Sequence, residues 1–383
     1  MRIGDEIELA IERIAAGGDG LGFIDGIAAF IPLSAPGDCL RARITETKSD
    51  YLRAEILEVV EAASSRIDPP CPLYGRCGGC NLMHMDYQAQ IEAKKGVLRD
   101  ALRRVGSVSE TIAIEAEASS PFEYRNRAQF RVTPDGSLGY MQRGSVASIP
   151  VPACPILTPA LGDWLRVAWN GGGWKERSGY LAGKDRFIAF GTQDRVYLEG
   201  RDNEAEASVG GKSFRFPVGG FFQSNLDLLE RLVPAVLEGM GGARAADLYS
   251  GVGLFGAFLK ERFERLACVE QDQRSVGYAC RNVGREADFS ALGVEAWTRS
   301  AQAMADFDYV VVDPPRAGLG PPVRAWLADR RPAVVGYVSC DPVSFARDAG
   351  ALVRSGYRLD AVRIFDFYPQ TSHMESYARF QID

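Results

Sequence analysis

The stretch ARAADLYSGVGLFGAFL, Ala243–Leu259, reads as an apolar strand, a glycine loop and the start of an apolar helix. Gly251, Gly253 and Gly256 match G-x-G-x-x-G, where glycines let the backbone turn tightly and approach a ligand closely. Downstream, ACVEQD ends a second strand at Glu270, FDYVVVDPPRAG a third at Asp313 and AVVGYVSC a fourth at Cys340. Apolar strands alternating with helices from about 217 to 356 give an α/β class with a parallel, doubly wound sheet. In such a sheet the ligand crevice lies beyond the carboxyl ends of the strands, so Tyr249, Glu270, Asp313 and Cys340 are expected on one rim. A carboxylate at Glu270 can accept from both hydroxyls of a ribose. That serves nicotinamide cofactors and S-adenosylmethionine equally, and the glycine loop alone favours neither.

The last segment, FDFYPQTSHMES, is expected to form a polar loop carrying Asp366, Gln370, His373 and Glu375 between strands Tyr357–Phe365 and Tyr377–Ile382. A hairpin there would return the loop to the same rim. Upstream, Ile7, Leu9 and Ile11 alternate with acids, and Leu40, Ala42 and Ile44 alternate with Arg41, Arg43 and Thr45. About five short strands in the first 60 residues predict a small OB-like barrel. Arginines on its outer face suit an oligonucleotide; an all-β module without a ligand is the alternative. Asp86–Val105 has the apolar stripe of an amphipathic helix. In EYRNRAQFRV, Glu123–Val132, a strand would put Arg125, Arg127, Gln129 and Arg131 on one face, for phosphate or simply for solvent. GGGW (171–174) and GTQDR (191–195) mark loops in a mixed middle region ending near Phe216.

The chain of 383 residues is long enough for two or three domains, and its 46% apolar content allows a sizeable core. No apolar run is long enough for a membrane span, and the amino terminus does not read as a signal peptide, so a cytoplasmic protein is expected. The formal charge of −6 argues mildly against nucleic acid, although it hides local stripes. Among eight cysteines, Cys71, Cys77 and Cys80 crowd together in CPLYGRCGGC, and Cys154 comes later in PACPI. One close pair with a distant fourth ligand fits a four-cysteine iron–sulfur cluster better than structural zinc, with unrelated or redox thiols as the remaining reading.

A thiol and a carboxylate at a methyl-donor site suit one reaction in particular. The C5 carbon of uracil is a poor nucleophile until a thiolate adds to C6; a base must later remove the C5 proton. Such a scheme calls for a cysteine of lowered pKa and a nearby carboxylate. The motifs FFQSN, DLYSGVGLFG, VEQD, DPPRAG, YVSCDP and FYPQTSHME, in this order, resemble the RNA uracil-C5 methyltransferases that carry an N-terminal TRAM barrel and a [4Fe–4S] cluster. The resemblance spans nearly the whole chain. It implies a TRAM barrel at 1–60, a mixed α+β central domain with the cluster at 61–216, and a Rossmann-like class I methyltransferase domain at 217–383. It also implies that the Asp86–Val105 helix packs on the catalytic domain.

The same resemblance makes Cys340 the nucleophile and Glu375 the proton acceptor. It assigns Gln223, Tyr249, Glu270 and Asp313 to S-adenosylmethionine, and Cys71, Cys77, Cys80 and Cys154 to the cluster. The implied partner is RNA, 23S ribosomal RNA ahead of transfer RNA because bacterial transfer RNA members typically lack barrel and cluster; a monomer is expected. Leu254 stands where members often carry Asn or Thr. Asp341 stands where they commonly carry Asn, and a carboxylate there raises the thiol pKa unless it points away or pairs, with Arg316 as the candidate partner. The competing readings are exocyclic amine methylation, a non-catalytic iron–sulfur RNA-binding protein, and a nicotinamide oxidoreductase.

Overall fold

The computed structural model describes residues 1–108, 112–171 and 185–382. Strands β1 (Glu6–Ile14), β2 (Gly20–Ile24), β3 (Ile27–Ile31), β4 (Cys39–Thr47) and β5 (Tyr51–Glu61) close into a barrel in the order β1-β2-β3-β5-β4. Alternation decides which face is inside: Ile7, Leu9, Ile11, Leu40, Ala42 and Ile44 fill the barrel, while the intervening charges point outward. The barrel arginines are not a bare basic stripe. Arg41 pairs with Glu6 and Glu58, Arg43 with Glu6, and Arg53 with Asp19 and Glu46.

Helix α1 (Tyr87–Ala101) is capped by the Asp86 side chain, which accepts from the Ala89 N–H. It runs into a π-helical turn, Leu102–Gly106, and its Val97 and Leu98, with Leu102 of the turn, pack in the core beside Phe345, Ala346 and Ala349 of the C-terminal part. Strand β6 (Ile114–Glu117) comes next. The middle sheet has the order β11-β10-β7-β8-β9, from β7 (Arg127–Val132), β8 (Leu138–Met141), β9 (Ser148–Pro150), β10 (Arg186–Gly191) and β11 (Val196–Leu198). Helix α2 (Pro159–Gly171) covers it, Leu161 and Leu165 meeting Phe130 and Phe187. Of the two expected loops, GTQDR falls between β10 and β11, whereas GGGW begins at the last residue of α2 and otherwise lies outside the described residues.

A hairpin, β12 (Glu204–Val209) and β13 (Lys212–Pro217), leads to α3 (Leu226–Leu237). The large sheet then forms from β14 (Gly242–Leu248), β15 (Phe263–Glu270), β16 (Asp288–Ala291), β17 (Tyr309–Val312), β18 (Val334–Ser339), β19 (Arg358–Phe365) and β20 (Glu375–Gln381). Its helices are α4 (Gly256–Leu259), α5 (Gln273–Val283), α6 (Val294–Trp297), α7 (Pro321–Arg330) and α8 (Pro342–Arg354). The strand order is β16-β15-β14-β17-β18-β20-β19-β6; β14 to β18 run parallel, and β20 is antiparallel to both neighbours. The order reverses between β14 and β17, which opens a crevice at their carboxyl ends.

Two features depart from a reading along the chain. Helix α1 and strand β6 belong with this sheet rather than with the middle one: β6 pairs in parallel with β19 from Val362 to Phe365, and α1 buries its stripe against α8. Glu375 is the first residue of β20 rather than part of the polar loop, and is 4% exposed. Among the described residues, no helix is long and apolar enough to cross a membrane.

Candidate functional site

The strand ends deliver their side chains to one cavity of about 880 Å³, lined among others by Gln223, Tyr249, Glu270, Asp313, Cys340 and Glu375. Tyr249, just past β14, holds φ +64°, a left-handed conformation costly for a bulky side chain. Its buried hydroxyl has no hydrogen-bond partner. Gly253 needs its hydrogen: φ is +84°, and a Cβ there would meet Val283 Cγ2 at 2.6 Å. Glu270 is fixed at the loop's edge, accepting from the Gly251 N–H at 3.1 Å and the Asp272 N–H at 2.8 Å. Gln223 lies buried just before α3 with its Oε1 unpartnered. Asn126 secures that segment to the middle sheet: its N–H donates to Ser224 O at 2.7 Å and its Nδ2 to Gly191 O at 2.6 Å.

Cys340 and Glu375 face each other for a topological reason. Strands β18 and β20 pair with Ser339 opposite Ser376, so one step further along the antiparallel register Cys340 stands across from Glu375. Burial pushes the Cys340 thiol up to about 12, with Glu375 and Asp313 adding to the shift and Arg316 opposing it. The lowered thiol pKa that the chemistry calls for is therefore absent from the protein by itself. Burial likewise pushes Glu375 well above the carboxylate range, reinforced by Asp313 and opposed by Arg316, and pushes Asp313 to about 7. Beneath them, Asp247 accepts a hydrogen bond from the Gly256 N–H at 2.8 Å; burial, then Asp313 and Glu270, raises it to about 8. Arg125, Arg127 and Arg316 also line this cavity, and burial still outweighs them at the thiol and the acids.

Asp341 does not pair with Arg316. Its carboxylate caps α8, accepting from the Ser344 N–H at 2.7 Å, while Arg316 is bonded to His373 Nδ1 at 3.2 Å. Leu254 is buried and lines the cavity wall, offering no polar group.

Cys71, Cys77, Cys80 and Cys154 line a second cavity, about 230 Å³. All four are free thiols. Among the described residues, no three His, Cys, Asp or Glu side chains form a group that could hold a metal ion. Arg125 lines both cavities. It is half-buried, lies 6.0 Å over the Tyr368 ring, and donates from Nε to Arg127 O. The expected arginine face is therefore not a surface row: Arg125 and Arg127 turn into the large cavity, and Arg131 pairs with Asp185. Sequence reasoning missed Tyr368 and the exposed Phe221 as cavity residues. Phe221 stands inside the FFQSN motif; Tyr368 has no periodic signal, because it sits in an irregular loop.

Residues 184–380 match the family model described as tRNA (uracil-5-)-methyltransferase, and residues 2–57 match the TRAM domain. The chain is 31% identical to an uncharacterized RNA methyltransferase of Treponema denticola, over 93% of this chain and 94% of that one. It is 28% identical to a 23S rRNA (uracil(1939)-C(5))-methyltransferase of Shewanella amazonensis, over 100% and 97%. In fold it resembles the Pyrococcus abyssi tRNA (uracil-54, C5)-methyltransferase solved with S-adenosyl-L-homocysteine, with a TM-score of 0.73 and 23% identity, covering 98% of this chain and 100% of that one.

Proposed function

Because the chain belongs to the tRNA (uracil-5-)-methyltransferase family, we propose that it methylates C5 of a uridine in RNA, with S-adenosylmethionine as donor and Cys340 and Glu375 as the reacting pair. The observation that carries this reading is the strand register that sets a thiol against a carboxylate in the cavity shared with the glycine loop and Glu270. The residues fit the donor: the unpartnered Tyr249 hydroxyl and Gln223 Oε1 offer it hydrogen bonds, and Glu270 is oriented to accept from ribose hydroxyls. When bound, S-adenosylmethionine supplies an electrophilic methyl and a positive charge.

In that environment Cys340 gives up its proton more readily than in the free protein. The thiolate forms a bond to uracil C6, and the C5=C6 electrons move onto C5 as an enolate. C5 takes the methyl group as the methyl–sulfur bond breaks, its electron pair staying on sulfur to leave S-adenosylhomocysteine. The Glu375 carboxylate then accepts the C5 proton, the C–H pair re-forms C5=C6, and the Cys340–C6 bond breaks to return the thiolate. Glu375 must be ionised at that step, which Arg316 favours. Phe221, exposed at the mouth, is placed to stack on a base drawn out of its helix.

For the cluster, four soft thiol donors share one cavity, and the adjacent Arg125 guanidinium offsets anionic charge. A [4Fe–4S] cluster on Cys71, Cys77, Cys80 and Cys154 is the reading proposed. Anaerobically purified protein is expected to carry four irons by the cluster's own stoichiometry, and a single zinc would overturn it. With the barrel near 1–60 and the catalytic unit near 217–383, the substrate proposed is 23S ribosomal RNA, on the strength of full-length relatives bearing that activity in their names. The barrel does not decide the point, since a tRNA enzyme shares this fold along 98% of the chain.

The test is incubation with S-adenosylmethionine and RNA carrying 5-fluorouridine, which has no C5 proton to lose. A covalent species mapping to Cys340, absent from Cys340→Ala, is expected with a 23S fragment. An adduct with transfer RNA alone would change the substrate, and none with either would remove the nucleophile.

A further inference from the structure

Asn81, the residue after Cys80, lines neither the large cavity nor the cysteine cavity, yet it is bonded several times over to the segment leading to Glu375. Asn81 Oδ1 accepts from the Ser372 N–H at 2.8 Å. Its Nδ2 donates to Gly17 O at 2.8 Å and to Ser372 Oγ at 3.2 Å. Ser372 Oγ itself donates to Gly17 O at 3.0 Å. The Asn81 and Leu82 N–H groups both donate to Gln370 O, at 3.1 and 3.0 Å. One side chain thereby joins a barrel loop, the cysteine loop and the loop between β19 and β20. The approach is close: Gly18 has φ +95°, and a Cβ on it would lie 2.3 Å from Asn81 Nδ2.

The path from Ser372 to the carboxylate is short. His373, bonded to Arg316, and Met374 separate Ser372 from Glu375. A shift of the clasped residue passes along this short link to the carboxylate, and through His373 to the guanidinium facing Cys340. Other ties hold the far end of the loop: Gln90 Oε1 accepts from the Gln370 N–H at 2.9 Å, and Thr371 Oγ1 donates to Tyr368 O at 2.8 Å. On the Glu375 side, the His373 N–H donates to Thr371 Oγ1 at 3.2 Å, and Asn81 supplies the clasp to the cysteine loop.

We propose that Asn81 is a positioning residue for the methylation reaction, setting through Ser372 where Glu375 stands against Cys340. This rests on Glu375 being the proton acceptor. Its signature comes from the order of steps. Methyl addition precedes proton removal, so a displaced Glu375 leaves the methylated uracil attached to Cys340 even on ordinary uridine. General loosening would instead lower every step, donor binding included.

The experiment uses the full chain, S-adenosylmethionine and an unmodified 23S fragment that supports turnover. Asn81→Ala and Asn81→Asp are compared with Glu375→Gln by kcat, KM for the donor, and the covalent fraction in a denaturing gel. Asn81→Ala is expected to lower kcat by about 10- to 100-fold, the scale of an ångström-sized misplacement, and to accumulate adduct. The donor KM stays within about twofold, since that binding is not made by the displaced groups. Asn81→Asp keeps the acceptor for the Ser372 N–H, loses both donated bonds, and falls between. Adduct with Glu375→Gln but none with Asn81→Ala, or wild-type kcat in Asn81→Ala, overturns the proposal alone. No adduct with Glu375→Gln overturns the proton-acceptor reading and this one with it. If Asn81→Ala loses donor-induced thermal stabilisation altogether, Ser372→Ala replaces it; that variant forfeits the two Oγ bonds, and it too must accumulate adduct for the proposal to stand.

Discussion

Cys340 keeps its proton in the free site because burial and two carboxyl neighbours outweigh the single guanidinium of Arg316. Replacing that guanidinium should therefore make the thiol still less reactive. Arg316→Gln is expected to slow iodoacetamide labelling of Cys340 by about tenfold at mildly alkaline pH, the effect of one pKa unit. Labelling at the wild-type rate would show that Arg316 does not set the thiol's charge. Asp341 makes the opposite case. It caps α8 with its carboxylate turned to the Ser344 N–H, and Asn caps as well as Asp. Asp341→Asn should leave both stability and the alkaline limb of the labelling profile unmoved; a shifted limb would mean that this charge reaches the sulfur after all. YVSCDP marked Cys340 as a residue of interest, but the direction in which Asp341 points depends on where α8 begins.

Helix α1 illustrates how an element far away in sequence holds the reacting one. Its buried Lys94 ion-pairs with Asp366 and also donates to Tyr368 O at 3.1 Å, and its Gln90 is bonded to Gln370. Desolvation depresses Lys94, so the pair is retained at a cost and matters most when half of it is removed. Lys94→Met, leaving Asp366 buried and unpaired, should cost about 3–5 kcal/mol in urea unfolding. Lys94→Met combined with Asp366→Leu should recover most of that loss; equal losses in single and double variants would put the cost in packing rather than charge. The amphipathic period announced α1, and alternation announced the barrel strands. Neither pattern could show that β6 would extend the catalytic sheet: four residues, Ile114–Glu117, are too few for a periodic signal, and β-pairing is a choice among distant partners.

Across the molecule, three acids at one sheet edge, Asp247 and Glu375 buried and Asp313 half-buried, tie stability to pH. Asp247 and Asp313 titrate near 8 and 7, and Glu375 well above its ordinary range. Each folded-state pKa exceeds the unfolded one, so the folded form holds extra protons and loses stability as pH rises through these values. His84, pushed by burial down to about 4, acts in the other direction, costing stability below the ordinary histidine pKa. The free protein should therefore melt at a lower temperature at about pH 8.5 than at about pH 6.5, and Asp313→Asn should flatten the difference. An unchanged melting temperature over that range would mean the acids are solvated. If the site takes a cationic donor, binding should also release protons, seen as a buffer-dependent binding enthalpy. The sequence by itself determined the doubly wound sheet, the barrel and the strand-end positions of Tyr249, Glu270, Asp313 and Cys340, because apolar periodicity and glycine turns are local properties of the chain. Only the tertiary structure decided that Glu375 opposes Cys340, that Arg125 lies between two cavities, and that Asn81 clasps Ser372. Those relations join residues far apart in the chain through register and packing, and the pKa values are set by the burial and neighbours that result.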